Sequence, residues 1–198
     1  MANTTTKEIV QFGLKNAHYA LWDDATGTYK APQRIPGAVK LSISPEGSTS
    51  TFNADDKAYY TVSSNGGYTG TFEVAHIPDQ MLIDVLGYVK DANGSLLENS
   101  DAVPATFALL YEVSSNIEPC RFQFFNCTLT RPSGDANTKS DSVDVDTQSL
   151  EFTAIARTLP YGDDEVPFVK GHLSLTDETK AVYDTYYDAV LLPKKVTA

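Results

Sequence analysis

Cysteine is scarce in this sequence: only Cys120 and Cys127 occur, both inside the stretch CRFQFFNC. This stretch has the composition of one strand, and seven residues of strand span about 23 Å. The α-carbons of a disulfide lie no more than about 7 Å apart. Without a bulge, the odd spacing also directs the two side chains to opposite faces of the strand. We therefore predict two free thiols that serve as packing residues.

Long apolar runs are absent as well. No segment approaches the roughly 18 consecutive apolar residues of a membrane-spanning helix. The first seven residues, MANTTTK, lack the charged and apolar parts of a signal peptide. The sequence therefore predicts a protein that is made and folded in the cytoplasm and has no membrane insertion of its own.

Basic residues are in deficit. The chain carries 15 Lys and Arg against 26 Asp and Glu, which gives a formal net charge of −11 and a sequence pI of about 4.6. Because phosphate binding requires a basic surface, this balance argues against a protein that grips nucleic acid. It is compatible with a protein that lies beside DNA without holding it.

The residue patterns of common enzymes and metal sites are missing too. The three histidines are far apart in sequence, and the acidic run DSVDVD (141–146) lacks the central glycine and the final glutamate of a calcium loop. The stretch SNGGYTG precedes a strand instead of opening a helix, so it is no phosphate-binding loop. We predict no catalytic residue, no metal and no cofactor; a hydrolase with an unrecognised site is a minor alternative.

Strand signals dominate what is present, and we expect one domain over residues 1–198. Residues 38–44 alternate, Pro45-Glu46-Gly47 signals a turn and residues 48–53 return, which predicts a projecting hairpin at about 38–53. Two short strands at 7–13 and 17–23 are predicted around a turn at 14–16. Asn65-Gly66-Gly67 carries the signal of another tight hairpin turn.

The stretch from residue 67 to residue 88 changes its period. Residues 68–74 alternate like a half-buried strand, whereas the apolar residues after Ile77-Pro78 fall on one face of a short helix. Asp79 complements the helix dipole and Gly87 supplies a C-terminal stop. We predict a helix at about 78–86 and a second, acidic-capped helix at about 177–187. The residues expected to pack the first helix are Met81, Leu82, Val85 and Leu86.

Small hydroxyl side chains occupy the polar faces of several predicted strands. Threonine is common in strands, so the pattern fits a plain solvent-facing sheet. It fits a surface that must be wet and weakly adhesive equally well. The residues alone leave both interpretations open.

Several stretches, taken in order, carry a family resemblance. They are QFGLKNAHYALW, FNADDKAYYTVSSNGGYTGTFEVAHIPDQMLIDVLGYVKDANG, VPATFALLYEV, RFQFFNCTLTRP and TQSLEFTAIARTLPYG. Together they resemble the major tail tube protein of long, flexible-tailed bacteriophages over nearly the whole chain. The most specific part is the series G-T-F-E, then I-P leading into a helix that ends in L-G.

The resemblance implies a mainly β fold: a single-domain sandwich or half-barrel of two sheets, with the helix at 78–86 packed on its open flank. It implies a structural virion protein that forms hexameric rings, which stack into the tail tube through which genome DNA passes at infection. The implied partners are other copies of the chain, the tape measure protein inside the tube, and the tail terminator and distal tail proteins at its ends. The implied location is the virion tail, after synthesis and assembly in the cytoplasm of the bacterial host.

Two sets of candidate residues follow from the resemblance. The polar face of the sheet that contains residues 68–74 is expected to line the channel, where hydroxyls and carboxylates hydrate well and offer DNA no cation. These lumen-lining candidates are Ser42, Ser44, Thr61, Ser63, Thr69, Thr71, Glu73, Glu151 and Thr153. Lys40 shares this face and is expected to pair with a carboxylate or to lie near the ring's edge.

The 38–53 hairpin and the long polar loop at 131–148 are expected to be interface elements. The inter-ring candidates are Ser133, Gly134, Asp135, Asp141, Asp144 and Asp146.

Two other functions remain open at this point. The tube protein of a contractile bacterial secretion system has a similar fold type, and its chemistry and charge would look alike. A carbohydrate-binding β-sandwich adhesin would instead have an exposed aromatic platform and a stable monomer.

Overall fold

The computed structural model describes residues 9–54, 56–134 and 146–196. The chain is mainly β with two short helices, as predicted. The strands are β1 Gln11–Asp23, β2 Thr28–Tyr29, β3 Gln33–Ile35, β4 Ala38–Ala54, β5 Lys57–Val74, β6 Val89–Lys90, β7 Leu96–Leu97, β8 Phe107–Ser115, β9 Cys120–Leu129, β10 Ser133–Gly134, β11 Gln148–Ala154, β12 Arg157–Tyr161, β13 Asp164–Phe168 and β14 Lys170–Ser174. The helices are α1 Asp79–Leu86 and α2 Lys180–Asp184.

One antiparallel sheet of ten strands forms the body, in the order β2-β1-β8-β9-β11-β5-β4. β3 pairs with β1, β10 with β11 and β14 with β9, while β12–β13 and β6–β7 form separate two-stranded sheets. β1 and β4 are far apart along this path but approach within 8 Å between α-carbons. The sheet is therefore curled, yet it is not a closed barrel. Where the resemblance implies two sheets, the structure has one large sheet and two small ones.

The curled sheet separates two hydrophobic cores. The inner core contains Phe107, Leu109 and Tyr111 of β8, and the outer core contains Ala108 and Leu110 of the same strand. Because successive strand residues point to opposite faces, both faces of β8 are buried. The outer core is covered by the β12–β13 hairpin and by the C-terminal segment.

Helix α1 packs against the inner core with the residues expected from its pattern. Met81, Val85 and Leu86 are buried, and Leu82 is partly buried against the same cluster. Gly87 ends the helix in the left-handed conformation, with φ 71°. The N-terminal cap is Pro78 itself, so the helix begins one residue later than the sequence suggests.

Helix α2 is shorter than the predicted span of 177–187. The Thr179 hydroxyl donates to the Ser174 carbonyl at 2.6 Å, and Thr179 is the N-terminal cap of the helix. These local bonds hold residues 176–179 in a turn before the helix can start. Tyr183 and Tyr186 nevertheless bury their rings, with 4% and 2% of each residue exposed.

The turn predicted at Pro45–Gly47 is wrong. β4 continues through these residues and pairs with β5 along its whole length, from Ala38 opposite Val74 to Ala54 opposite Lys57. The second turn signal, Asn65-Gly66-Gly67, lies directly across from the first, and together they form a bulge between Glu46 and Gly47. The hairpin therefore spans 38–74, and its distal half is exposed on both strands.

The turn predicted at 14–16 is wrong for a similar reason. β1 is continuous from Gln11 to Asp23, with register shifts between Phe12 and Leu14 and between Lys15 and His18. Gly13 and Asn16 have positive φ values of 72° and 52°. Their left-handed conformations accommodate two bulges, so these residues bend the strand without reversing it.

Both cysteines are free thiols, as predicted, and both are buried. The odd spacing does not decide their faces, because β9 contains a bulge between them. Phe107 lies opposite Cys127 and Leu109 opposite Phe124, so one residue of β9 is extra. Phe124 and Cys127 consequently both reach the inner core.

Candidate channel-lining face

Six of the nine lumen-lining candidates meet in one open hollow on the outer side of β4, β5 and β11. The hollow has a volume of about 330 Å³. Gly70, Thr130 and Phe152 complete its lining. We call this surface the hydroxyl groove; the candidates in it are Ser42, Ser44, Thr69, Thr71, Glu151 and Thr153.

The strand register explains why these side chains converge. Thr71 lies opposite Ser42 on one side and Glu151 on the other. Thr69 in the same way lies between Ser44 and Thr153, and Thr153 lies opposite Thr128 of β9. Residues paired across an antiparallel sheet share a face, so the groove consists of two parallel rows of small polar groups.

A glycine contributes backbone to the groove floor. Gly70 lies opposite Phe152, and a β-carbon at position 70 would come within 2.6 Å of the Phe152 ring and of the Ser42 carbonyl oxygen. The Phe152 ring therefore covers the bare backbone of Gly70 from the core side. Phe152 itself is 2% exposed and belongs to the inner core. The inner core therefore lies directly beneath the groove floor.

Glu73 occupies the next row of the same face. It lies opposite Lys40 of β4 and Ser149 of β11. Its Oε1 accepts a hydrogen bond of 2.6 Å from the Thr147 hydroxyl. The register thus puts Lys40 directly across from a carboxylate, at the end of the groove that leads into α1.

The electrostatic character of the groove follows from its lining. Glu151 is its one carboxylate, and the lining residues, all of them described, include no lysine, arginine or histidine. Beyond it, the Thr69 hydroxyl donates to Glu46 Oε1 at 2.8 Å. The surface can hydrate and can accept hydrogen bonds, but it carries no cation for a phosphate.

Two lumen-lining candidates do not share this face. Between Glu46 and Gly47, β4 advances one residue while β5 advances two. Beyond this bulge, Ser63 pairs with Thr49 and Thr61 with Thr51. Thr49 and Thr51 have odd spacing from Ser42 and Ser44 along β4. Both pairs therefore lie on the face of the two-stranded β4–β5 ribbon that is opposite to the hydroxyl groove.

No family model and no curated protein matches this chain.

The inter-ring candidates fall into two groups. Ser133 and Gly134 form β10, which pairs with Ser149 and Gln148 at the edge of the hydroxyl groove. Asp146 is exposed. Asp135, Asp141 and Asp144 lie outside the described residues, as does most of the loop expected at 131–148.

Sequence reasoning missed three contributors to the face. Thr130 lines the groove and hydrogen-bonds the Glu151 carbonyl through its backbone N–H at 3.0 Å. The sequence does contain a signal for Thr130, because Thr128 and Thr130 alternate with apolar residues at the end of β9 and so share a face. Glu46 was missed because it lies in the stretch for which the sequence predicts a turn. Gly70 has no signal of its own, because its role depends on a ring that comes from a distant strand.

Two further findings bear on other site types. Within the described ranges, no three His, Cys, Asp or Glu side chains are grouped so that they could hold a metal ion. Neither α1 nor α2 has the length and apolar character that a bilayer-spanning helix requires.

Proposed function

We propose that this protein is a structural subunit of a bacteriophage tail tube, in which copies form stacked rings around a channel for genome DNA. The hydroxyl groove is the part of the subunit that faces the channel. The observation that carries the proposal is the composition of this face: two rows of small hydroxyls, one carboxylate and no basic group among its lining residues. The protein acts through its surface and its self-association, with no catalytic step.

The chemistry of the face suits passing DNA. Duplex DNA carries one negative charge per about 1.7 Å of its axis, and each lysine or arginine contact adds a salt-dependent hold on it. Serine and threonine bind water and form only weak contacts with phosphate oxygens. Glu151 and the net charge of −11 add mild repulsion, so DNA would slide without resting points.

The ribbon formed by β4 and β5 supports a role in assembly. Beyond Gly47, both strands are exposed, and the ribbon carries Phe52, Tyr59 and Tyr60 with exposed fractions of 63%, 74% and 64%. Such a clustering of large apolar groups on a projecting element is typical of a surface that becomes covered by a partner. In the proposed assembly, the partner is another copy of the chain.

Electron microscopy of the purified chain tests this proposal. The protein should be concentrated stepwise and followed by sedimentation velocity and by negative staining. Rings or tubes that grow with concentration are expected. A variant with Phe52, Tyr59 and Tyr60 changed to serine should keep its β spectrum and sediment as a monomer. A parent protein that stays monomeric at every concentration and nucleation condition would contradict the proposal.

One observation favours a second candidate, a carbohydrate-binding protein. Phe52 lies opposite Tyr60, Tyr59 is the next residue along β5, and all three are exposed; exposed aromatic rings are the groups that stack on sugar rings. In that case the monomer should bind glycans, and the same triple serine variant should lose that binding. Glycan binding by a stable monomer would favour the second candidate over the tube subunit.

A further inference from the structure

A second groove opens on the inner side of the sheet, between the N-terminal half of β1 and strands β4 and β14. Its volume is about 310 Å³, and its walls are mainly apolar: Leu14, Leu41, Ile43, Tyr111 and Phe122. We call it the apolar groove. It has no residue in common with the hydroxyl groove.

One charged side chain lines the apolar groove, that of Lys170. Its ammonium lies over three aromatic rings, 5.1 Å from the centroid of Phe122, 5.3 Å from that of Phe124 and 5.7 Å from that of Tyr68. Within the described part of the chain, no carboxylate lies within salt-bridge distance of it. Lys170 is exposed as a residue, and the partial burial of its ammonium against the rings lowers its pKa, because partial loss of water disfavours the charged form.

This arrangement differs from that of the lysines that form ion pairs. Lys15 contacts Glu112 at 3.2 Å, Lys180 contacts Asp184 at 2.8 Å and Lys195 contacts Asp164 at 3.0 Å. In a chain with 26 acidic residues, Lys170 is held instead among rings at the edge of an apolar hollow. The ring contacts stabilise the ammonium only modestly and supply no counter-ion, so an anion from outside would stabilise it further.

We propose that the apolar groove is a binding site for an amphipathic monocarboxylate, such as a medium-chain fatty acid. The carboxylate pairs with the Lys170 ammonium, and the hydrocarbon chain lies along Leu14, Leu41, Ile43 and Phe122. The size is suitable, because small-molecule sites have volumes of about 300–1,000 Å³ with mostly apolar walls and a few polar groups. A single cation matches one negative charge, which favours a monocarboxylate over a nucleotide or another polyanion.

The groove also predicts a chain-length preference. A neighbouring hollow of about 350 Å³ shares Gln11 and Phe122 with it and has Ile9 and Cys120 on its apolar side; its polar side consists of Glu118, His172 and Ser174. A longer hydrocarbon chain can therefore extend from one hollow into the next. Each additional buried methylene adds about 0.8 kcal/mol in transfer free energy, so the affinity should rise steadily from hexanoate to dodecanoate.

Equilibrium dialysis of the full chain with radiolabelled dodecanoate, below its micelle concentration, tests the site. We expect one molecule bound per chain, and weaker binding of dodecanol and of dodecylamine. Lys170→Met should weaken dodecanoate binding by about tenfold or more, in keeping with the loss of a charge-assisted pair. Lys170→Arg should retain it, and Lys180→Met, which removes an exposed lysine elsewhere, should leave it unchanged.

Two results would overturn the inference. One is the absence of saturable binding, and the other is equal dodecanoate affinity in the parent and in a folded Lys170→Met variant. If Lys170→Met does not fold, Leu41→Asp provides the second test, since a carboxylate in the apolar wall should exclude the ligand. The inference is independent of the proposed tube function, because it is measured on the dissolved chain whether or not that chain assembles.

Discussion

Ser63 and Thr71 lie on opposite faces of β5, although their even spacing would put them on one face of a regular strand. The bulge opposite Glu46 and Gly47 inserts one residue into β5 between them. On the distal side, Ser63 faces Thr49, and on the proximal side Thr71 faces Ser42. This single inserted residue decides which hydroxyls belong to the candidate channel wall.

The bulge should depend strongly on Gly67. Its φ is 98°, and a β-carbon there would collide with the Ala154 carbonyl oxygen. We expect Gly67→Ala to lower the free energy of unfolding by about 1–3 kcal/mol, from backbone strain and overpacking. Urea unfolding measures the change. Gly134→Ala, whose new β-carbon would make ordinary contact with Gln148 at 3.6 Å, should change stability by less than about 0.5 kcal/mol. Equal effects of the two substitutions would contradict this description of the bulge.

Arg121 should be central to the attachment of the C-terminal segment. Its Nε donates to Glu112 at 3.0 Å, and its guanidinium lies 3.8 Å from the centroid of Tyr183. Glu112 is 4% exposed. Burial alone would raise the pKa of this carboxyl, but hydrogen bonds from Asn16, Arg121 and Lys15 give a net lowering. We expect Arg121→Met to lower the free energy of unfolding by about 2–4 kcal/mol, because the buried Glu112 carboxylate keeps fewer partners.

A double-mutant cycle distinguishes this pair from simple loss of packing. The double variant Glu112→Gln, Arg121→Met should lose clearly less free energy of unfolding than the sum of the losses in the two single variants. Lys180→Met, which breaks an exposed pair with Asp184, should cost no more than about 0.5 kcal/mol. Additive single effects at positions 112 and 121 would be inconsistent with direct coupling.

Stability should fall as the pH drops below about 6.5, through His18. Burial lowers the pKa of His18, the Asn16 carbonyl opposes this, and Arg34 and Arg121 add to the lowering. The folded state therefore binds this proton less readily than the unfolded state, so stability is complete above the unfolded pKa and declines between it and the lower folded value. The neutral ring stacks on Tyr187 at 4.2 Å. Thermal unfolding from pH 7.5 to 5.5 should show this decline in the parent and in His76→Gln, but a smaller one in His18→Phe. An unchanged pH slope in His18→Phe would exclude His18 as its cause.

Charge reversal in the hydroxyl groove should create DNA binding. Glu151 is exposed and lies opposite Thr71, so Glu151→Lys should change stability by less than about 0.5 kcal/mol. In assembled tubes, each ring would then present lysines to the channel. DNA should associate with these tubes, and the association should weaken with increasing salt. Glu165→Lys, the same charge reversal at an exposed position of β13 outside the groove, is the matched control. Equal DNA association in both variants would mean that the hydroxyl groove does not face the channel.

Local patterns predicted much of this fold, and distant contacts explain most of what they missed. The apolar spacing of Met81, Val85 and Leu86 identified α1 and its buried side, because a helix is specified within a few residues. The glycine and asparagine signals near positions 14–16, 45–47 and 65–67 predict chain reversals. They become bulges only because a long partner strand is present on each side, and sequence spacing does not reveal that partner. The bulge opposite Glu46 and Gly47 places Thr61 and Ser63 on the other face, whereas the six candidates on regularly paired strands share one face.

A helical reconstruction of assembled tubes by cryo-electron microscopy measures the orientation of the subunit. We predict that Ser42, Thr71 and Glu151 line the channel and that Thr61 and Ser63 lie in or toward subunit contacts. A reconstruction in which the hydroxyl groove faces the outer surface of the tube, or is buried between rings, would contradict it.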